Sequence, residues 1–490
     1  MKKSGKLCAM TLAAVAAMAP AALTGCNNVK DDPNVLNIVA LNAGYGKQWL
    51  ETLAARFESE HPGYTVNLDN AIYEAGSLIN SHINSRNNVD DLYICVGNNW
   101  KTYASSGKFA ELDDFLNETV DGITVREKVA SEYANSIYFP DLSDTIHTYR
   151  LPWTAGVGGI YYNKAMFEEN AWKVPTTYTE LIELCDKIVD DEIPVETSGN
   201  KAQSVKPFVY TGQNIDYFDY AVYTWWAQLS GEENIREFMQ YGAPDNYNSA
   251  KSATYNNLKK ATDMWKGLFG NSDYVMSGCS GMSNHEAQTA FNNGQAAMIF
   301  SGDWMYNEIL NYNINNEHFE LALMKTPIAD GAVETSITYT IGEDQYIAIP
   351  ESSSKKDLAK DFIKLIISDY GCEVFLNEAH GLLAYKTKNA ITTEDSFLNN
   401  LMTTKNGYEK AFTNYPSFTA EEIAGQAKVS DNRLLYLTNT IDVWGTGALR
   451  PYATLIQSNP QTLDTAFTTI ASSISGQWKN WQSDAGVTKG

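Results

Sequence analysis

Short apolar runs alternate along this chain with segments of helical period. Val35 to Leu41 reads as a strand, and Asn42-Ala43-Gly44-Tyr45-Gly46 follows as a polar loop at its end. Leu50, Leu53, Ala54 and Phe57 then recur at i, i+3, i+4 and i+7, the signature of one buried helix face, until Pro62-Gly63 stops the pattern. Tyr64 to Leu68 alternates as a second strand, and a second helix is expected over Ala75 to Ser85. Leu92 to Val96 forms a third strand, ending in Gly97-Asn98-Asn99-Trp100. This βαβαβ alternation predicts a parallel sheet with right-handed crossovers. It also sets two loops of mixed polar and aromatic character on one rim.

Further along, Thr177 and Glu180 form a capping box ahead of a helix carrying Leu181, Leu184, Cys185 and Ile188 on one face. Asp216 to Gly231 packs Tyr217, Phe218, Tyr220, Tyr223, Trp225 and Trp226 into one stretch. Helical spacing assigns part of that cluster to core and leaves the rest to meet something else. Ala296 to Phe300 is short and wholly apolar, as a strand buried on both faces of a sheet would be. Ser301, Gly302 and Asp303 break it, and Asp303 is placed to cap a helix starting near Trp304. Open α/β sheets bind ligands outside the carboxyl ends of their strands. Trp304 belongs at such an end. The last helix keeps Leu463, Phe467, Ile470, Ile474, Trp478 and Trp481 on one stripe, which is core packing.

The first residues change the picture of where this chain works. Lys2, Lys3 and Lys6 precede an apolar stretch from Leu7 to Leu23, the layout of an export signal. Leu23-Thr24-Gly25-Cys26 then resembles a bacterial lipobox, which implies cleavage of residues 1–25, lipidation of Cys26 and a tether over 26–33. A lipidated cysteine would hold the protein on a membrane without a spanning helix. Cleavage removes three lysines and no acids, so the formal charge moves from −23 to −26. That balance argues against nucleic acid and anionic lipid head groups as partners. Cys95, Cys185, Cys279 and Cys372 lack metal spacing. Buried thiols and disulfides both remain open for them outside the cell.

Four motifs carry a family resemblance. Gly107-Lys-Phe-Ala-Glu-Leu-Asp-Asp114 comes first, then Tyr162-Asn163-Lys164 with Phe167 and Pro175-Thr176. Phe291-x-x-Gly-x-Ala-Ala-Met298 with Gly302-Asp303-Trp304 is the third, and Ile347-Ala-Ile-Pro350 with the helix Lys355 to Ile367 the fourth. In this order they resemble the carbohydrate-uptake family of extracellular solute-binding proteins, to which maltose-binding protein belongs. The resemblance implies an α/β, two-lobed periplasmic-binding-protein-like fold of type II, each lobe a mixed sheet flanked by helices, with three interlobe crossings. Mapped here, lobe 1 takes 34–152 and 340–387, and lobe 2 takes 153–339 and 388–490. The crossings fall near Pro152–Gly158, Thr338–Glu343 and Tyr385–Asn389. The implied role is that of a lipid-anchored, monomeric binding protein on the outer face of a bacterial membrane. It would deliver a neutral oligosaccharide to the transmembrane permease subunits of an ABC importer.

A sugar presents C–H faces that pack on aromatic planes and hydroxyls that each need a polar partner, since an unpaired buried hydroxyl costs roughly 1–3 kcal/mol. Asn42 with Tyr45, Asn98 and Asn99 with Trp100, and Asp303 with Trp304 have that composition. Trp153, Tyr223, Trp225 and Trp444 complete the expected ligand-binding set. Where the family often has a charged pair, this chain has Asn98 and Asn99, which leaves the sugar's identity open. Catalysis finds no support: the Gly-x-Ser-x-Gly elbow and His-Glu-x-x-His are absent, and Gly156-Val-Gly-Gly159 lacks phosphate-loop spacing. No cofactor or metal is expected. The alternatives are the same fold holding another solute, or a secreted enzyme acting on glycosides.

Overall fold

Two short-strand sheets organise the chain, because its apolar runs are too short to do more than pair with one another and be covered by helices. A computed structural model describes residues 31–141, 145–195, 203–310, 318–429, 432–445 and 462–484. The lipidation position Cys26 therefore lies outside the described residues. In the first sheet β1 (Val35–Leu41) runs parallel to β2 (Thr65–Ile72) and β3 (Leu92–Val96). In the second, β4 (Gly158–Asn163) pairs antiparallel with β6 (Ala296–Gly302) and with β7 (Leu321–Met324), while β5 (Lys206–Val209) pairs parallel with β6. A late strand, β8 (Gln345–Ala348), returns to the first sheet antiparallel to β3. The spatial orders are β8-β3-β1-β2 and β7-β4-β6-β5, so both sheets are mixed.

The parallel β1–β3 core is as the hydrophobic pattern predicts, and β8 adds the antiparallel member. The second helix stops at His82, short of Ser85. The capping box forms as expected, with Thr177 accepting from Glu180 N. All seven residues of β6 are buried. It runs two residues beyond Phe300, because Ser301 and Gly302 still pair with Gly159 and Gly158. At Gly158 an added Cβ would strike the ring of Tyr220, so only glycine lets this pairing lie beneath the aromatic cluster.

The chain passes between the sheets near Pro152–Gly158, at 340–345 and near Leu383. A later stretch touches both halves. The Tyr415 hydroxyl donates to Tyr138 O at 2.6 Å on the side of the first sheet, and Tyr436 stacks on Tyr241, 5.0 Å between centroids, on the side of the second. Among the described residues, no helix is long and apolar enough to cross a membrane.

The four described cysteines are free and buried. Burial pushes the Cys279 thiol up to about 11 and the Cys372 thiol up to about 12, and it raises Cys95 and Cys185 as well. Thiolate is the reactive form. A thiol reagent is therefore expected to leave all four unlabelled in the native protein and to label all four after unfolding, read by intact mass. Native labelling at any of them would contradict this packing.

Candidate ligand-binding site

Between the two sheets lies a cavity of about 550 Å³, within the range of small-molecule sites. Its first wall is built where β1, β2 and β3 end: Leu41, Ala43, Gly44, Tyr45, Tyr73 and Val96, with Asp344 and Gln345 entering β8. Its second wall holds Gln213, Asn214, Tyr217, Ser283 to His285, Trp304 and Glu308. Trp153 and Ile341, from two of the crossings, form the base. The carboxyl ends of the parallel strands thus face the cavity.

Trp304 is half-buried and held in place on every side. An added Cβ on Gly44 would sit 2.6 Å from Trp304 Cβ, and one on Gly302 would strike the indole itself. These two glycines let the opposing walls close around the ring. Trp304 Nε1 donates to the Tyr217 hydroxyl at 3.1 Å, and the Tyr45 ring meets the indole edge-on at 6.2 Å. Trp153 meets Tyr45 at 5.6 Å, also edge-on. Tyr73, at the end of β2, is 73% exposed and stands at the mouth.

The polar lining is acidic and amide-rich. Among the described residues that line the cavity there is no Lys or Arg, and His285 contributes an imidazole. Burial, then the neighbouring Glu343, pushes Asp344 up to about 6, with Arg150 pulling the other way. Burial also raises Glu308, whose carboxylate accepts from Gln288 Nε2 at 2.6 Å. Trp153 Nε1 and Asn284 Oδ1 are enclosed without a hydrogen-bond partner. A second cavity of about 480 Å³ opens behind the crossings, among Glu132, Glu232, Arg236, Lys405 and Lys410. Its charges are already paired, Lys405 with Glu132 at 3.4 Å and Lys410 with Glu232 at 3.1 Å, and it lacks indole planes.

Of the expected ligand-binding residues, the structure brings Tyr45, Trp153 and Trp304 together on one cavity. Asp303 sits directly behind it, fully buried, accepting from the Tyr45 hydroxyl at 2.6 Å and from Leu382 N at 3.3 Å. Its carboxylate serves the join between the walls and presents no edge to the cavity. Asn42 is half-buried beside the cavity without lining it, and Asn98 and Asn99 are exposed at the start of the helix Asn99–Ser105.

Four expectations are corrected. Trp100 is wholly buried, its Nε1 donating to Glu343 O at 2.9 Å and its ring covered by the Arg150 guanidinium at 3.8 Å. Trp225 is wholly buried, with Nε1 donating to Pro327 O at 2.8 Å. Tyr223 and Trp444 stack on each other at 5.6 Å in the interior, and Trp444 Nε1 donates to Asp219 Oδ1 at 3.3 Å. For Tyr223 and Trp225 the reason is that the helix Asp219–Ser230 is packed on both sides, so all of its aromatic residues are core, and Trp444 is buried by stacking on it. From that cluster Tyr217 alone lines the cavity. Sequence reasoning missed Tyr73, Gln213, Asn214, Asn284, Glu308, Asp344 and Gln345. The signal available for Tyr73, Asp344 and Gln345 was their position at strand ends; the others sit in loops or on a helix face with no pattern to mark them.

The comparisons agree with this architecture. Residues 43–370 match the family model described as bacterial extracellular solute-binding protein. The multiple sugar-binding protein of Streptococcus mutans is 24% identical over 261 residues, 52% of this chain and 54% of that protein. The alignment thus spans about half that relative's length. A putative binding protein of Brucella abortus is 21% identical over 335 residues, 67% of this chain and 71% of that one. Among solved structures, apo RafE from Streptococcus pneumoniae superposes with a TM-score of 0.62 at 18% identity, covering 91% of this chain and 98% of RafE. RafE in complex with raffinose gives 0.59 at 17% identity, covering 90% and 99%. These likenesses show the fold, a two-lobed type II periplasmic-binding-protein architecture. With a match that spans residues 43–370, well over half of its length, this chain belongs to the bacterial extracellular solute-binding protein family, which places it outside the cytoplasm.

Proposed function

We propose that this protein is the substrate-binding component of an ABC importer and that it holds a neutral oligosaccharide in the cavity between its lobes. It would be anchored through a lipidated Cys26 and act as a monomer that presents the loaded form to a permease. The proposal keeps the lobe division of 34–152 with 340–387 and 153–339 with 388–490. One observation carries the reading. Trp304 and Tyr217 stand partly open to a cavity backed by Tyr45 and Trp153, and among the described residues its polar lining is carboxylate, amide, hydroxyl and the His285 imidazole, without Lys or Arg. An anionic solute would meet the carboxyl groups of Asp344 and Glu308, whereas sugar hydroxyls can donate to both. The sugar-binding relatives support the same reading.

Ligand shifts a hinge equilibrium only by its differential affinity for the closed state. Micromolar binding supplies about 8 kcal/mol in total, more than a closure of a few kcal/mol requires. Titration of tryptophan fluorescence with raffinose, xylo-oligosaccharides and galactose-containing sugars is expected to give a saturable change from Trp153 and Trp304. Silence across the panel, with a response to an amino acid, peptide or metal, would overturn the sugar reading. The sugar is expected back intact after prolonged incubation; release of shorter fragments would mark a hydrolase.

A further inference from the structure

Asp303 joins parts of the chain that must move relative to one another if the lobes hinge. It belongs to the second lobe, between β6 and the helix Trp304–Leu310, and is fully buried. Tyr45, from the first lobe, donates to its Oδ1 at 2.6 Å, and Leu382 N, beside the third crossing, donates to its Oδ2 at 3.3 Å. The Tyr45 hydroxyl also lies 3.4 Å from Thr154 Oγ1 in the first crossing. Thr154 in turn donates to Gln345 Oε1 at 2.7 Å, at the end of the second. One carboxyl is thereby tied to the opposite lobe and, directly or through one residue, to each crossing.

The titratable groups that face it are phenols: Tyr45, Tyr133, Tyr161 and Tyr220, all held protonated by burial. His380 contacts Asn307 Oδ1 at 3.3 Å, and burial lowers its pKa while Asp395 raises it. Among the described residues no cation forms an ion pair with Asp303. Among the described residues, Asp303 is thus a buried acid without a counter-charge where the two lobes meet.

We propose that Asp303 is a positioning residue that makes engagement of the two lobes proton-linked: a protonated carboxyl favours the lobes drawn together, and an ionised one favours their separation. The argument is one of linkage. With the lobes engaged, burial pushes the Asp303 carboxyl up to about 7, against the hydrogen bonds from Tyr45 and Leu382 N that lower it. Separation admits water and returns it toward the ordinary carboxylate value of about 4. The engaged form therefore binds more protons between those values, and its advantage falls as pH rises through that window and is constant above it. The hydrogen bonds can follow the proton, since a protonated Asp303 donates to Tyr45 and the Tyr45 hydroxyl turns to Thr154. Any effect on ligand capture rests on the cleft reading above; the coupling itself does not.

The test uses ligand-free protein. Small-angle scattering and carboxyl-carbon NMR of ¹³C-labelled aspartate are followed from about pH 5 to about pH 9, the window that brackets the engaged value. The wild-type radius of gyration is expected to fall on acidification below about 7, in step with the Asp303 resonance. Asp303→Asn should be flat. Tyr45→Phe keeps the ring packed on Trp153 but removes a hydrogen bond that lowers the carboxyl, so its midpoint should move upward; this variant stands in if Asp303→Asn does not fold. Titration of Asp303 in the ordinary carboxylate range overturns the proposal, and so does a radius insensitive to pH or a transition that survives Asp303→Asn. A sugar panel that leaves fluorescence unmoved would sink the cleft reading alone, and a flat radius with a responding sugar would sink this coupling alone.

Discussion

Replacing Trp304 by alanine is expected to weaken sugar binding by about 30-fold or more, the loss of roughly 2 kcal/mol that marks an aromatic anchor at the centre of a binding surface. The indole is the element on which the cavity converges, with Tyr45 and Tyr217 at its edges and Gly44 and Gly302 making room for it. Alanine would leave a gap between those glycines and free the Tyr217 hydroxyl that now accepts from the indole. The stability cost should be smaller than for a wholly buried tryptophan, because Trp304 is already partly open to the cavity. Titration of a responding sugar beside a urea unfolding curve separates the two effects. A fall in unfolding free energy as large as the fall in binding free energy would make Trp304 a packing residue and leave the cavity without its anchor.

How far the residues alone reveal this site is clearest from two loops that look alike. Val96-Gly97-Asn98-Asn99-Trp100 and Phe300-Ser301-Gly302-Asp303-Trp304 each leave a buried strand, pass a glycine and end in tryptophan. One indole reaches the cavity and the other is core. The difference lies in where each helix begins. Trp304 is the first residue of its helix, whereas Trp100 is the second of Asn99–Ser105. One residue of helix turns a side chain by about 100°, and that rotation carries Trp100 inward onto Arg150. A single sequence resolves helix starts no better than that. Strand positions, the capping box and the apolar stripe of the last helix were legible because each depends on local periodicity. Tyr73, Asn284 and Glu308 were not, since their role comes from the approach of a second lobe that no local pattern encodes.

Trp100→Ala is expected to destabilise the protein by roughly 3–5 kcal/mol, the cost of emptying a fully packed aromatic site. More than area is lost. Arg150 is wholly buried, and the neighbours that hold it are backbone carbonyls, Ser136 O at 2.9 Å and Gly342 O at 3.4 Å together with Gln345 O, and the rings of Trp100 and Tyr415. Burial already pushes its guanidinium down to about 10. Removing the indole takes away the face on which that cation rests, and an uncompensated buried charge is what makes such a deletion severe. Urea unfolding measures the loss, and a sugar titration on the fraction that remains folded should give a wild-type dissociation constant, because Trp100 does not line the cavity. A variant of near-native stability that no longer binds sugar would return Trp100 to the site and contradict the packing described here.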